Sequence, residues 1–131
     1  MPSAPPTDTL HTGAKIPLLG YGTWGGGDDH NTLAAGVAEA IKAGYRHIDC
    51  AELYGNQAEI GVALSKCIND GIVKRNELFI TSKVWNTNHS AEHVQQSCQQ
   101  TLKDLQLDYL DLCMLQSTQH TSTCMPYNLV D

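Results

Sequence analysis

The sequence predicts an α/β fold built around a parallel sheet, and three observations lead there. Strand-like runs begin near Arg46, Leu78 and Tyr109, about 31 residues apart, close to the length of a strand–helix–strand unit. Helix-period segments fill the intervals between them. No two strand-like runs follow one another directly, so the strands should lie parallel.

Taken in order, the stretch to about Gly13 is rich in Pro, Thr and Ser and reads as a loose or hairpin-like lead-in. Ile16–Pro17–Leu18–Leu19–Gly20 is a short, weak strand candidate, with Pro and Gly marking turns around it. Leu33, Val37, Ala40 and Ile41 fall on one face of a helix over Asn31 to Ala43, and Gly44 is its stop. Tyr45 to Asp49 follows as a strand ending in an acid. Ile60, Leu64, Cys67 and Ile68 give a second helical face, stopped by Gly71. Leu78 to Ser82, β-branched and aromatic, is the clearest strand and ends at Lys83. A third helix begins with Ser90 as N-cap and Glu92 in its first turn, and turns Val94, Cys98, Leu102 and Leu105 inward. Tyr109 to Leu115 is a further strand. Counting the weak first strand, the pattern supports at most four βα-type repeats. From Gln116 to Asp131 the chain is polar and without period. The expected organisation is a lead-in over 1–12, an α/β body over 13–115 and a divergent tail over 116–131.

Composition narrows the function. With 41% hydrophobic and 17% charged residues, the chain has the means to form a core. A net charge of −6 speaks against tracking nucleic-acid phosphates. No apolar run approaches the roughly 20 residues needed to cross a bilayer, and the first residues lack the basic and apolar regions of a secretion signal. Five scattered cysteines without a C-x-x-C pair read as reduced thiols of a cytoplasmic protein.

Three motifs carry chemical meaning, each set against a plainer reading. Gly20-x-Gly22-x-x-Gly25 matches a dinucleotide fingerprint, but Gly26, Gly27, Asp28 and Asp29 follow where a helix should open, so a strand-to-helix loop is the better reading. His89-x-x-Glu92-His93 matches a zinc-protease pattern. Ser90 serves better as an N-cap, which leaves His89 outside the helix, and no third ligand is evident; no metal site is expected. The third motif is Gly44 to Ala51 followed by Tyr54, Gln57, Ile60 and Gly61. Asp49 ends one strand and Lys83 ends the next, with Tyr54 in the loop between. If those strands are neighbours, an acid, a phenol and an amine meet on one rim. An ammonium beside a phenol favours the ionised phenol, and a carboxylate holds the ammonium charged and oriented. The plainer alternative is an ordinary Asp–Lys pair beside a packed Tyr.

With these residues assembled, the chain resembles the aldo-keto reductase superfamily, NADP-linked oxidoreductases on a (β/α)₈ TIM barrel. Gly13–Pro17 and Leu19–Trp24 look like that family's opening hairpin and first strand. Gly44–Gly61, Leu78–Asn86 and Leu105–Leu112 match it in the same order. The resemblance implies the first four βα units of such a barrel, preceded by a short hairpin and truncated. It implies NADPH-dependent hydride transfer to an aldehyde or ketone, a small-molecule carbonyl substrate. Tyr54 would be the general acid at the carbonyl oxygen, Lys83 would strengthen it as a proton donor, and Asp49 would orient Lys83. Thr23, Trp24 and Asp49 would lie at the cofactor; Trp24 and Trp85 would line the substrate pocket. Two departures stand out. Gln116 occupies the place of the family's fourth catalytic residue, a His, and an amide donates one neutral hydrogen bond without titrating. The match also ends near Leu115, with most of the NADP(H) site absent. Half a barrel would leave two parallel edges free for self-association. The second reading is therefore a non-catalytic or partner-binding chain. A flavodoxin-like module would suit the length, but the Gly44–Gly61 run does not fit it.

Overall fold

The structure, a computed structural model, describes residues 5–25 and 29–115. Strands β1 (Thr7–Thr9) and β2 (Lys15–Pro17) form an antiparallel hairpin with Thr7 opposite Pro17. Its turn closes through the Gly13 N–H on the Leu10 carbonyl at 2.8 Å. The weak strand read over Ile16–Gly20 is in fact two: its start belongs to β2 and its end to β3 (Gly20–Gly22), in a different sheet. Pro17 has no N–H for a continuous ladder, which favours a break there.

From β3 onward strand and helix alternate: α1 (His30–Lys42), β4 (His47–Asp49), α2 (Gln57–Asn69), β5 (Phe79–Val84), α3 (Ala91–Leu105) and β6 (Leu112–Leu115). The second sheet has the order β3-β4-β5-β6 and is parallel throughout, with Tyr21 opposite Ile48 and Ile48 opposite Ile80. Four strands of this sheet and three intervening helices are thus in place among the described residues; Gln116 and the tail lie outside them.

Each helix begins and ends where local chemistry dictates. Asp29 caps α1 by accepting the Thr32 N–H at 3.1 Å, and the hydrogen bond from the Thr32 hydroxyl, with this backbone bond second, holds the Asp29 carboxyl below its ordinary range. Gly44, at φ 106°, takes the chain out of α1 in a conformation that a side chain would strain. Ser90 caps α3 through the His93 N–H, and His89 lies before the helix, outside its first turn.

The helices cover one face of the sheet. Val37 and Ile41 from α1, Ile48 and Ile80 from the strands, Ile60 and Leu64 from α2 and Leu105 from α3 are almost wholly buried there. Since strand side chains alternate, Ile48, Ile80 and Ser82 face the helices, while His47, Asp49, Thr81 and Lys83 face the other side. The His47 Nε2 lies 2.9 Å from the Thr81 hydroxyl on that inner face.

Two elements depart from the sequence reading. The stripe of α3 that packs inward is Ser97, Thr101 and Leu105, whereas Val94, Cys98 and Leu102 are half-buried on its flank. Ser97 and Thr101 can be buried because each hydroxyl has a distant partner, Glu52 and Gln57. Strand β6 starts at Leu112, not Tyr109, because Asp111 engages β5 by its side chain: its carboxylate accepts the Ile80 N–H at 2.8 Å and pairs with Arg75 at 2.8 Å. The Arg75 guanidinium also lies 3.8 Å over the Tyr109 ring.

Candidate active site

Neighbouring parallel strands put Asp49 and Lys83 on the same inner face near the same sheet end. After β4 the chain turns at once into a short 3₁₀ turn, Glu52–Tyr54, ended by Gly55 at φ 66°. That turn carries Tyr54 back over Lys83.

The Lys83 side chain is 7% exposed and its ammonium meets three acceptors. They are Asp49 Oδ1 at 2.6 Å, the Cys50 carbonyl at 2.9 Å and the Tyr54 hydroxyl at 3.4 Å. An ammonium has three protons, so none is left over. Tyr54 accepts, weakly at that distance, and its own O–H remains free to donate elsewhere. Trp24 lies against the Tyr54 ring, with centroids 5.1 Å apart and planes 56° inclined. Trp24 itself is 56% exposed, leaving a broad indole surface open beside the phenol.

The loop that carries Tyr54 is tied on both sides. Asn56 donates from Nδ2 to the Thr23 carbonyl at 2.8 Å. Gln57 accepts from the Ser82 hydroxyl at 2.7 Å and donates to Thr101 at 3.2 Å. Glu52 accepts three donors: the Trp85 N–H at 3.0 Å, Asn88 Nδ2 at 2.7 Å and the Ser97 hydroxyl at 2.7 Å. Thr23 has no exposed surface, and its hydroxyl and N–H both donate to the Asp49 carbonyl, at 2.8 and 3.1 Å. Beside it, burial pushes the Cys50 thiol up to about 12, so it is no nucleophile at neutral pH.

The structure therefore brings Asp49, Tyr54, Lys83 and Trp24 together, with Thr23 behind Asp49. Trp85 follows β5 directly and is fixed through its backbone to Glu52; it makes no aromatic contact with Tyr54 among the described residues. Asp49 also lines a cleft of about 490 Å³ on the inner face, with Ile16, Pro17, Leu18, Gly20, Gly22 and His47. Among the described residues no three His, Cys, Asp or Glu side chains converge as a metal site, and no helix is long and apolar enough to cross a membrane. Sequence reasoning passed over Glu52 and Asn56. The available signal was a lone carboxylate directly after the buried Ala51, two residues before the candidate phenol.

Comparison with known proteins adds a family. The sequence model of the Aldo/keto reductase family matches residues 18–125. The chain is 51% identical over 107 residues to Aldo-keto reductase family 1 member A1 of Mus musculus, covering 81% of this chain and 32% of that protein. It is 52% identical over 106 residues to Aldo-keto reductase family 4 member C11 of Arabidopsis thaliana, covering 81% of this chain and 33% of that one. Among solved structures, a Bombyx mori aldo-keto reductase in complex with NADP superposes with a TM-score of 0.82 at 36% identity, over 87% of this chain and 38% of that chain. The aldose reductase of Schistosoma japonicum superposes with a TM-score of 0.79 at 44% identity, over 84% and 36%. The chain thus spans about a third of the length of the curated relatives it matches.

Proposed function

The chain belongs to the aldo/keto reductase family, and from that premise we propose that Asp49, Lys83 and Tyr54 deliver the proton in an NADP(H)-linked reduction of an aldehyde or ketone. One observation supports this above the others. The Lys83 ammonium donates to the Tyr54 oxygen and is saturated by two further acceptors, so the Tyr54 proton is the one left to give. When bound, the cofactor supplies the hydride to the carbonyl carbon. Tyr54 then passes its O–H proton to the carbonyl oxygen and is left as phenolate. The Lys83 ammonium stands 3.4 Å from the oxygen on which that negative charge develops. Asp49 holds the ammonium in place, and Thr23 holds the strand end that carries Asp49.

The residues fit one end of NADP(H). The open indole of Trp24 suits a flat ring, and the second oxygen of Asp49 suits a sugar hydroxyl; Thr23, fully buried, would act through Asp49. Among the described basic side chains, four are already committed and unsuited to the phosphates: Lys83 is saturated, Arg75 is paired with Asp111, and Lys42 and Lys66 pair with Glu39 and Asp70 on the outer helices. That observation favours a second reading for the 131-residue chain taken alone: a chain with the proton-delivering half of a site and weak or no turnover.

Two measurements separate the levels. The purified chain should show no saturable quenching of tryptophan fluorescence by NADPH and no NADPH-dependent aldehyde reduction. A chimera in which residues 18–115 replace the equivalent part of a full-length relative should turn over, and lose turnover on Tyr54→Phe. Undiminished turnover in that Tyr54→Phe chimera would refute the assignment.

A further inference from the structure

Outside this site, two thiols face each other across different elements. Cys98, half-buried on the flank of α3, and Cys113, on the edge strand β6, place their sulfurs 3.6 Å apart. We propose that Cys98 and Cys113 are a reversible dithiol–disulfide site, oxidised by hydroperoxides, that clasps β6 to α3. The placement is specific. Cys113 is in register with Ser82, so it faces the helix side of the sheet, and Lys83 faces the opposite side. The pair and the Asp49–Lys83–Tyr54 cluster therefore occupy opposite faces of the same sheet, and oxidation touches none of the site residues. Sulfurs in contact at 3.6 Å need to approach by about 1.5 Å to reach a disulfide bond length. Strand β6 is an edge of the described sheet and Cys113 is exposed, so both the oxidant and the small adjustment are accommodated. Both are free thiols; although Cys113 is exposed as a residue, partial desolvation of its sulfur, with the neighbouring Cys98, pushes its thiol up to about 11.

The chemistry balances in two steps. The Cys98 sulfur, as thiolate, attacks the peroxide oxygen; the O–O bond breaks, an alcohol or water leaves, and a sulfenic acid forms. The second thiol attacks that sulfur, the S–S bond forms, and the sulfenic oxygen leaves as water with the second thiol's proton. Two electrons pass from the sulfurs to the peroxide, and a dithiol reductant reverses the change.

The test uses the full chain, treated natively with hydrogen peroxide and then alkylated in denaturant. Two of the five thiols should be lost, the mass should fall by two hydrogens, and the peptide map should join Cys98 to Cys113. Dithiothreitol should restore all five. The Cys98→Ser and Cys113→Ser variants should each form no intrachain cross-link, and in Cys113→Ser the remaining Cys98 should be trapped as a sulfenic acid by dimedone. A cross-link to Cys50, Cys67 or Cys124, a cross-link surviving in either variant, or peroxide loss of thiols without any disulfide would each overturn the proposal. This outcome is independent of the carbonyl-reductase reading, whose assays report on the other face.

Discussion

Two helical glycines make a sharp test of how the helices hold the site. Gly61 lies inside α2, where α3 crosses it. A Cβ built on Gly61 would stand 2.8 Å from the Leu105 backbone and run into the Asp104 carbonyl. Gly36 lies inside α1, and a Cβ there meets the tip of the Tyr21 side chain at 2.6 Å. In an open helix, Gly→Ala gains about 1 kcal/mol. At Gly61 the obstacle is backbone, so α3 must recede by roughly 1–1.3 Å to restore ordinary contact, and interior overpacking of that kind costs about 1–3 kcal/mol. The retreat also stretches the Gln57–Thr101 hydrogen bond, already 3.2 Å, past its useful range. That adds about 1 kcal/mol. After the helix gain is subtracted, Gly61→Ala should destabilise the chain by about 1–3 kcal/mol. Gly36→Ala should be neutral or slightly stabilising, because a Tyr hydroxyl can swing aside. Urea unfolding followed by circular dichroism measures both, and the Gly61→Ala midpoint should fall by about 1 M. If Gly61→Ala unfolds no earlier than Gly36→Ala, the close α2–α3 crossing is not what the geometry says it is.

Two further outcomes are expected. The Cys50 thiol is raised from 9.0 to about 12, chiefly by burial. A raised acid contributes stability below its unfolded pKa and loses it as pH rises, so this thiol should weaken the fold by about 1.4 kcal/mol between pH 8 and 10; Cys50→Ala should show a shallower alkaline decline, and an identical slope would refute it. Glu52→Ala should leave three donors unpartnered and cost about 2–3 kcal/mol, with faster amide exchange at Trp85; exchange unchanged at that amide would show that Glu52 does not hold the loop.

The sequence made the strands and helices legible where composition was dense. β5 stood out because Phe79, Ile80 and Thr81 are strand formers, and six successive residues are buried there. α3 was misread for a physical reason: Ser97 and Thr101 look like solvent residues, and nothing local announces that Glu52 and Gln57 will partner them from 45 and 44 residues away. The true start of β6 depends on an Asp111 side chain standing in for a backbone acceptor, which no periodicity reveals. At the site, Asp49, Tyr54 and Lys83 were legible because each sits at or just past a strand end, where parallel sheets gather side chains. Glu52 was not, since its meaning lies in three donors from another loop and helix.

The sidedness of β5 has a consequence for how this sequence can vary. Phe79, Thr81 and Lys83 share one parity, Ile80 and Ser82 the other. Inserting or deleting one residue inside the strand would exchange the two sets, turning the ammonium toward the core and an isoleucine toward Asp49. A change of two residues would keep parity yet slide Lys83 along the sheet by about 6.6 Å, well beyond the 2.6 Å contact with Asp49. Length changes are therefore intolerable, at any number, between Phe79 and Lys83.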